Sequence, residues 1–474
     1  MPNIPQASIQ EIHSAYRQGK TTVTDVVLAF LSRIAETDSC ENGLKSVIEL
    51  NPDAIFIAKS LDAQMQRGDT LPPLFGIPIL LKDNINTRDR LRTTAGSLAL
   101  AGNYAPYDAH IVTRLRQAGS LIIGKANMTE FANYMSRENM PSGYSSRGGQ
   151  VLNPYNRAES PSGSSSGSGV AVAAGLCTAS IGTETSGSIL HPAACNGIVG
   201  IKPTLGLVSR SGIVPISSTH DTAGPMTKTV RDAAVLLSVI AGPDPADAAA
   251  NLSPEGQDYT KYLDPNGLHG MKIGINRSQK LENFALIEEE KAAFDNLCKA
   301  AAEAGATLVD NVNIDSNFSM GKTFLNEFKA CMNYYLSTLG ESSKMKTLKD
   351  IVEFNQANAA AALKYGQSIL LDAENNTSGA MTEPEYIEAL LDREKTIAEL
   401  DKLFDDNGID VMLCETFTNI APFTGFPAMS VPIGQRENKM PIGSYWIARR
   451  FDEAVLIKAA YAVEQVLDVQ IALP

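Results

Sequence analysis

The 474-residue sequence predicts one continuous α/β domain around a largely buried sheet, on three observations. Helix-like and strand-like segments alternate from Phe75 to Ile275. With 44% hydrophobic residues, the chain can bury a large core. No internal repeat or long disordered linker divides it.

The elements follow in order. Thr22-Val23-Thr24-Asp25 has the form of a capping box, and Val26, Val27, Phe30, Leu31 and Ile34 then recur at helical spacing. Phe75 to Lys82 is a short apolar run ending in a charge, which reads as a buried strand. Asp108 to Gly119 reads as a helix, with Ile111, Val112, Leu115 and Ala118 on one face and Gly119 as its stop. Leu121–Gly124 is a strand, Val170–Leu176 a helix of small residues and Thr178–Gly182 a strand. Arg231–Ile240 is a helix and Met271–Ile275 a strand. The stretch from Glu282 to Asp406 is mostly helical, with periodic segments at Glu288–Ala304, Leu348–Leu371 and Glu383–Phe404. Asn375–Gly379 is its best loop. Asp410–Cys414 and Pro427–Pro432 return as strands, and Phe451–Val466 closes the chain as a helix.

Composition excludes several classes. The net charge of −13 and pI near 5.0 oppose a nucleic-acid partner. No apolar run approaches the roughly 20 residues of a membrane span. The polar start, Met1 to Gln6, lacks a signal-peptide profile. Six scattered cysteines without a C-x-x-C pair argue against a zinc site or disulfide framework. Together these features predict a cytoplasmic protein. Five histidines without ligand spacing give no metal site, and no Walker or G-x-G-x-x-G pattern supports a nucleotide cofactor.

The informative residues are two serine-glycine segments, Ser160–Gly169 and Gly182–Ile189. Glycine lets backbone N–H groups approach a ligand closely, and neighbouring serines supply nucleophiles and donors. That composition suits a site for an oxyanion. Gly163-Ser164-Ser165-Ser166-Gly167 matches a nucleophile elbow with Ser165 as nucleophile, but the elbow must follow a strand. Residues Asn153 to Pro161 cannot form a central one. Lysine is then the base available to a serine. Lys82 ends an apolar strand, where desolvation would favour the neutral amine; the competing reading is a lysine reaching to solvent. Asp83 positions Lys82 or a loop. Glu130, Asp221, His191 and His220 read as structural hydrogen-bonding groups.

Lys82 within Gly76–Asn84, the loop Ser162–Gly169 and the segment Gly182–Ile189 together resemble the amidase signature family. The likeness continues through Pro192-Ala193, Gly197–Thr204, Asp221–Met226, Gly425–Pro432 and Met440–Gly443. Residues 144–150, 153–154 and 206–210 resemble its bacterial peptide amidases. The resemblance implies a large mixed sheet covered by helices. It divides the single domain 1–474 into an N-terminal helical part (1–70), a catalytic signature core (71–245), and a helical insertion with C-terminal completion of the sheet (246–474). It implies a triad of Lys82, Ser164 in cis peptide geometry and nucleophilic Ser188, with the two serines 24 positions apart. Backbone N–H groups of Thr185, Ser186, Gly187 and Ser188 would form the oxyanion hole.

The implied reaction converts a carboxamide to acid and ammonia without cofactor or metal, the substrate being a small molecule or a C-terminal peptide amide. The alternatives are a glutaminase-type subunit of a tRNA-dependent amidotransferase and a non-catalytic scaffold. Oligomeric state stays open, a homodimer among the options. Three residues depart from the family pattern: Ser186 stands where glycine or an acid is common, Leu190 where arginine is, and Glu184 where aspartate is. The stretch Gly321–Gly379 resembles the family least and is expected to set specificity.

Overall fold

The computed structural model describes residues 3–67, 71–251, 253–277, 286–314, 318–469 and 471–473. Its strands are β1 (Val47–Leu50), β2 (Pro78–Lys82), β3 (Leu121–Ala126), β4 (Tyr144–Ser145), β5 (Gly149–Gln150), β6 (Ala179–Glu184), β7 (Val199–Lys202), β8 (Thr222–Thr227), β9 (Lys272–Asn276), β10 (Thr307–Val309), β11 (Val411–Cys414), β12 (Ala428–Gln435) and β13 (Pro441–Ala448). Eleven of them form one sheet in the order β1-β3-β2-β6-β8-β7-β12-β13-β11-β9-β10, and β4 and β5 pair separately. The sheet is mixed, as expected. β2 runs parallel to β3 and β6, and β9 runs parallel to β10 and β11. The pairings of β6 with β8, β8 with β7, β7 with β12 and β12 with β13 are antiparallel.

β2, β3, β6, β7, β8 and β11 are buried at every residue. Covering both faces with helices produces such continuous apolar runs. The helix Val23–Thr37 carries the expected capping box, in which Thr22 Oγ1 accepts from Asp25 N and Asp25 Oδ2 accepts from Thr22 N. Helices Val230–Ile240 and Glu453–Leu467 pack against the sheet at β8 and β12. Helices Met320–Thr338, Leu348–Ala357 and Ser368–Asn376 enclose a second hydrophobic cluster. Among the described residues no helix is long and apolar enough to cross a membrane.

Several boundaries differ from the sequence reading. β2 begins at Pro78 because Gly76 turns at φ 66°, with its N–H bonded to Gly119 O. The helix expected at Val170 begins at Ser166, so half of the serine-glycine loop is helical. The periodic run Leu348–Leu371 is three helices, Leu348–Ala357, Ala359–Ala362 and Ser368–Asn376. Asn358 leaves helical geometry while its Nδ2 donates to Phe354 O at 2.8 Å, and Gly366 turns at φ 70°. Residues 282–285 of the expected helical stretch lie outside the described residues.

Glycine within the helix Ser166–Ala173 has a packing cause. A Cβ on Gly167 would lie 2.3 Å from Asn127 O and 2.4 Å from Ser46 O. Gly167→Ala is therefore expected to destabilise the fold by about 1–3 kcal/mol or more. Thermal unfolding should show a lowered midpoint, and an unchanged midpoint would contradict this packing account.

Candidate active site

The parallel strands β2 and β6 end side by side, Leu81 opposite Ile181, and deliver Lys82 and Thr183 to one place. Lys82 is fully buried. Its Nζ lies 2.8 Å from Ser164 Oγ, 2.8 Å from Thr183 Oγ1 and 3.0 Å from Thr183 O. Loss of solvent pushes its pKa down to about 7, although Asp221 and Glu184 pull it upward. No carboxylate ion-pairs with it among the described residues.

These three contacts define what the amine does when neutral. A neutral amine has two N–H donors and one lone pair. Thr183 O is a carbonyl and must receive one N–H. Thr183 Oγ1 already accepts from Asn84 Nδ2 at 2.9 Å. Ser164 is thus free to donate its hydroxyl proton to the nitrogen, giving the amine a partner for its lone pair.

Ser164 is fully buried and follows a cis peptide bond from Gly163. A Cβ on Gly163 would lie 2.5 Å from Thr129 Oγ1, so the loop closes tightly there. Ser165, the serine of the elbow pattern, is fully buried; its Oγ donates to Thr183 O at 3.0 Å and accepts from Thr183 N at 3.3 Å. Its backbone N–H donates to Ser188 O at 3.3 Å, which ties the two serine segments together.

Beyond β6 the chain turns through Thr185 to Ser188 and enters the helix Leu190–Cys195. Glu184 holds the far side of this turn. Its Oε2 accepts Ile189 N at 2.7 Å and Leu190 N at 3.0 Å, and the Gly187 N–H also bonds this carboxylate. Gly187 adopts φ 76°, and a Cβ there would lie 2.6 Å from Phe417 Cζ. Among the described residues, the N–H groups of Thr185, Ser186 and Ser188 donate to no protein acceptor, and Ser188 Oγ makes no hydrogen bond. Of the four backbone donors expected to act together, Gly187 is thus turned to Glu184 and three remain for a ligand oxygen. Ser186 Oγ donates to Asn419 Oδ1 at 2.9 Å and Thr185 Oγ1 to Asp221 Oδ1 at 2.5 Å.

The remaining polar residues take structural places. Asp221 Oδ2 accepts from Ile216 N and Ser217 N, and burial raises its carboxyl to about 6. Asp83 accepts from the Thr94 hydroxyl and from Gly96 N, so it fixes a loop rather than Lys82. Glu130 accepts from Ser146 N and Oγ. His220 sits between Pro422 O and Thr323 Oγ1, and His191 Nδ1 pairs with Ser162 Oγ at 2.8 Å. Burial pushes both imidazoles down to about 4, which keeps them neutral at pH 7. Among the described residues no three His, Cys, Asp or Glu side chains gather to hold a metal.

Sequence reasoning missed Thr183, Phe417 and Asn419. Thr183 lay inside a quoted motif, but only the pairing of β6 with β2 brings it to Lys82. The other two arrive from more than 200 residues away, with no local signal. A cavity of about 420 Å³ opens beside Asn84, Thr183 and Thr185, walled by residues 210–218 and by the helix Met320–Thr338. Of the stretch expected to set specificity, Cys331, Tyr334, Tyr335 and Thr338 line it.

The amidase family model matches residues 25–422. A probable amidase of Arabidopsis thaliana is 38% identical over 98% of this chain and 90% of its own length. The native peptide amidase of Stenotrophomonas maltophilia superposes with a TM-score of 0.91 at 38% identity, covering 98% of each chain. A glutamyl-tRNA(Gln) amidotransferase subunit of Alkaliphilus metalliredigens is 33% identical over 98% of this chain and 97% of its own.

Burying Lys82 makes stability depend on pH. The unfolded chain keeps Lys82 protonated up to its ordinary value near 10.5, the folded chain only up to about 7. Between these values the unfolded state binds more protons, so stability rises with pH. Lys82→Met removes that proton. The difference in Tm, variant minus parent, is expected to fall as pH is raised from 7 to 10. Calorimetry at four pH values checks this, and a flat difference would contradict it.

Proposed function

Because the chain belongs to the amidase family, whose members hydrolyse amides, we propose that it cleaves a carboxamide to acid and ammonia with Ser188 as nucleophile. Ser188 Oγ attacks the amide carbon and gives its proton to Ser164, whose own proton passes to neutral Lys82. The developing oxyanion is held by backbone N–H groups of Thr185, Ser186 and Ser188, with Gly187 shaping the turn. Such donors typically contribute about 3 kcal/mol each to the transition state. Lys82 then returns the proton through Ser164 to the departing nitrogen, which leaves as ammonia. Water hydrolyses the acyl-enzyme through the same relay.

The observation that carries this reading is the 2.8 Å contact between fully buried Lys82 and Ser164, with Ser188, its hydroxyl unengaged, tied to the same loop by the Ser165 N–H to Ser188 O bond. Likeness to the Stenotrophomonas maltophilia peptide amidase supports C-terminal peptide amides as substrates. The relative from the glutamyl-tRNA(Gln) amidotransferase supports a second reading, a glutaminase that works with partner chains. Ammonia release by the purified chain from peptide amides, with glutamine unreactive, favours the first; activity on glutamine alone favours the second. A cytoplasmic location, with no nucleic acid or membrane as partner, belongs to the same proposal and rests on six free cysteines and the net charge of −13.

Ser188→Ala is expected to lower turnover by about three orders of magnitude or more while the fold persists. A fluorophosphonate should label Ser188, and labelling at Ser165 instead would restore the elbow reading. Because Lys82 acts neutral, kcat/KM should fall about tenfold per pH unit below about 7. Lys82→Arg should stay inactive at every pH, since guanidinium does not give up its proton. An active arginine variant would remove Lys82 from the mechanism.

A further inference from the structure

We propose that the cavity beside Thr183 is an acyl pocket selective for uncharged aromatic or branched apolar groups and closed to acidic ones. The proposal rests on the carboxamidase reading above. The leaving group of a carboxamide is ammonia, which needs no cavity of this size. A space of about 420 Å³ at the site therefore serves the acyl side, and it lies within the roughly 300–1,000 Å³ of small-molecule sites.

The cavity adjoins residues that bond or carry the reacting groups. Thr183 and Asn84 line it, and Thr183 Oγ1 bonds both Lys82 Nζ and Asn84 Nδ2. Thr185, which also lines it, begins the turn that carries Ser188. An acyl group seated here is thus next to the serine–lysine pair.

Every charged side chain in the wall is already engaged. Arg210 donates to both oxygens of Asp247, at 2.9 and 2.6 Å, and to Ser218 O. Asp221 accepts from Thr185 Oγ1, Ile216 N and Ser217 N. Cys331 is held as a neutral thiol, its pKa pushed up to about 11 by burial. Two of the three tyrosine hydroxyls are also occupied: Tyr335 donates to Asn86 Oδ1 at 2.8 Å, and Tyr107 pairs with Thr338 Oγ1 at 2.6 Å, while Tyr334 is exposed to solvent. The rest of the wall is largely Tyr107, Tyr334, Tyr335, Ile213, Val214 and Ile216, with small uncharged polar residues such as Ser211 and Ser218 between them. A carboxylate entering here loses water, meets Asp221, and finds no free cation among the described residues of the wall.

The test compares kcat/KM for N-acetylphenylalaninamide, N-acetylleucinamide, N-acetyllysinamide, the α-amide of N-acetylaspartate, and propionamide. The phenylalanine and leucine amides are expected to exceed the aspartate amide by about 100-fold or more. Cys331→Phe narrows the cavity, and exposed Tyr334→Ala removes one aromatic wall. Both should lower the ratio of phenylalaninamide to propionamide turnover by about tenfold. Fluorophosphonate labelling of each variant confirms a folded site, and Tyr334→Ala decides the matter if Cys331→Phe fails to fold. Equal rates for the aspartate and phenylalanine amides, a preference for the lysine amide, or an unchanged ratio in the variants would overturn the pocket assignment and leave the carboxamidase reading intact. Absence of ammonia from every amide would overturn that reading itself.

Discussion

The site depends on one costly placement, a lysine amine at the end of a fully buried strand with no carboxylate bonded to it. A fall from 10.5 to about 7 in the pKa of Lys82 corresponds to on the order of 5 kcal/mol by which burial disfavours the ammonium. Most proteins would pair such a lysine or let it reach water. Here a carbonyl and two hydroxyls surround it, at 3.0, 2.8 and 2.8 Å. Those partners satisfy a neutral amine as well as a charged one.

The surrounding architecture serves that placement. Two parallel strands must end in register for Thr183 to meet Lys82, and the β2–β6 pairing supplies this. Ser164 reaches the amine from the serine-glycine loop, whose tight packing is visible at Gly163 and Gly167. Glu184 draws the N–H groups of Ile189 and Leu190 to one side of the turn at Ser188, while those of Thr185, Ser186 and Ser188 have no protein acceptor among the described residues. Asp221 and Glu184 also raise the Lys82 pKa, which keeps it near neutrality rather than far below. The two carboxylates thus hold the turn and set the electrostatics together.

Much of this was legible in the sequence where the signal is local. The capping box at Thr22 and Asp25, the apolar runs of β2, β3 and β11, and the closing helix Glu453–Leu467 were readable from spacing alone. Lys82, Ser164 and Ser188 were reached through ordered motifs, and two of the three lie in contact. Signals failed where backbone and side chain disagree with propensity. β8 carries Gly224 and Pro225 inside a central strand, residues that sequence rules place in turns. The run Leu348–Leu371 keeps helical periodicity through Asn358 and Gly366, although the chain breaks at both. Phe417 and Asn419 reach the turn at Ser186 and Gly187 only through tertiary folding, so no window around residue 188 contains them.

Lys82 in the folded enzyme gives up its proton near pH 7, so that a substantial fraction is neutral amine there. The direct test is an NMR titration of the lysine side-chain amine in protein labelled at lysine, with Lys82→Met used to assign the resonance. The Lys82 midpoint should lie near 7, below Lys125, Lys202 and Lys228, which burial lowers to about 8, and far below the exposed lysines. A Lys82 amine that titrates above about 10, the ordinary range for lysine, would contradict it.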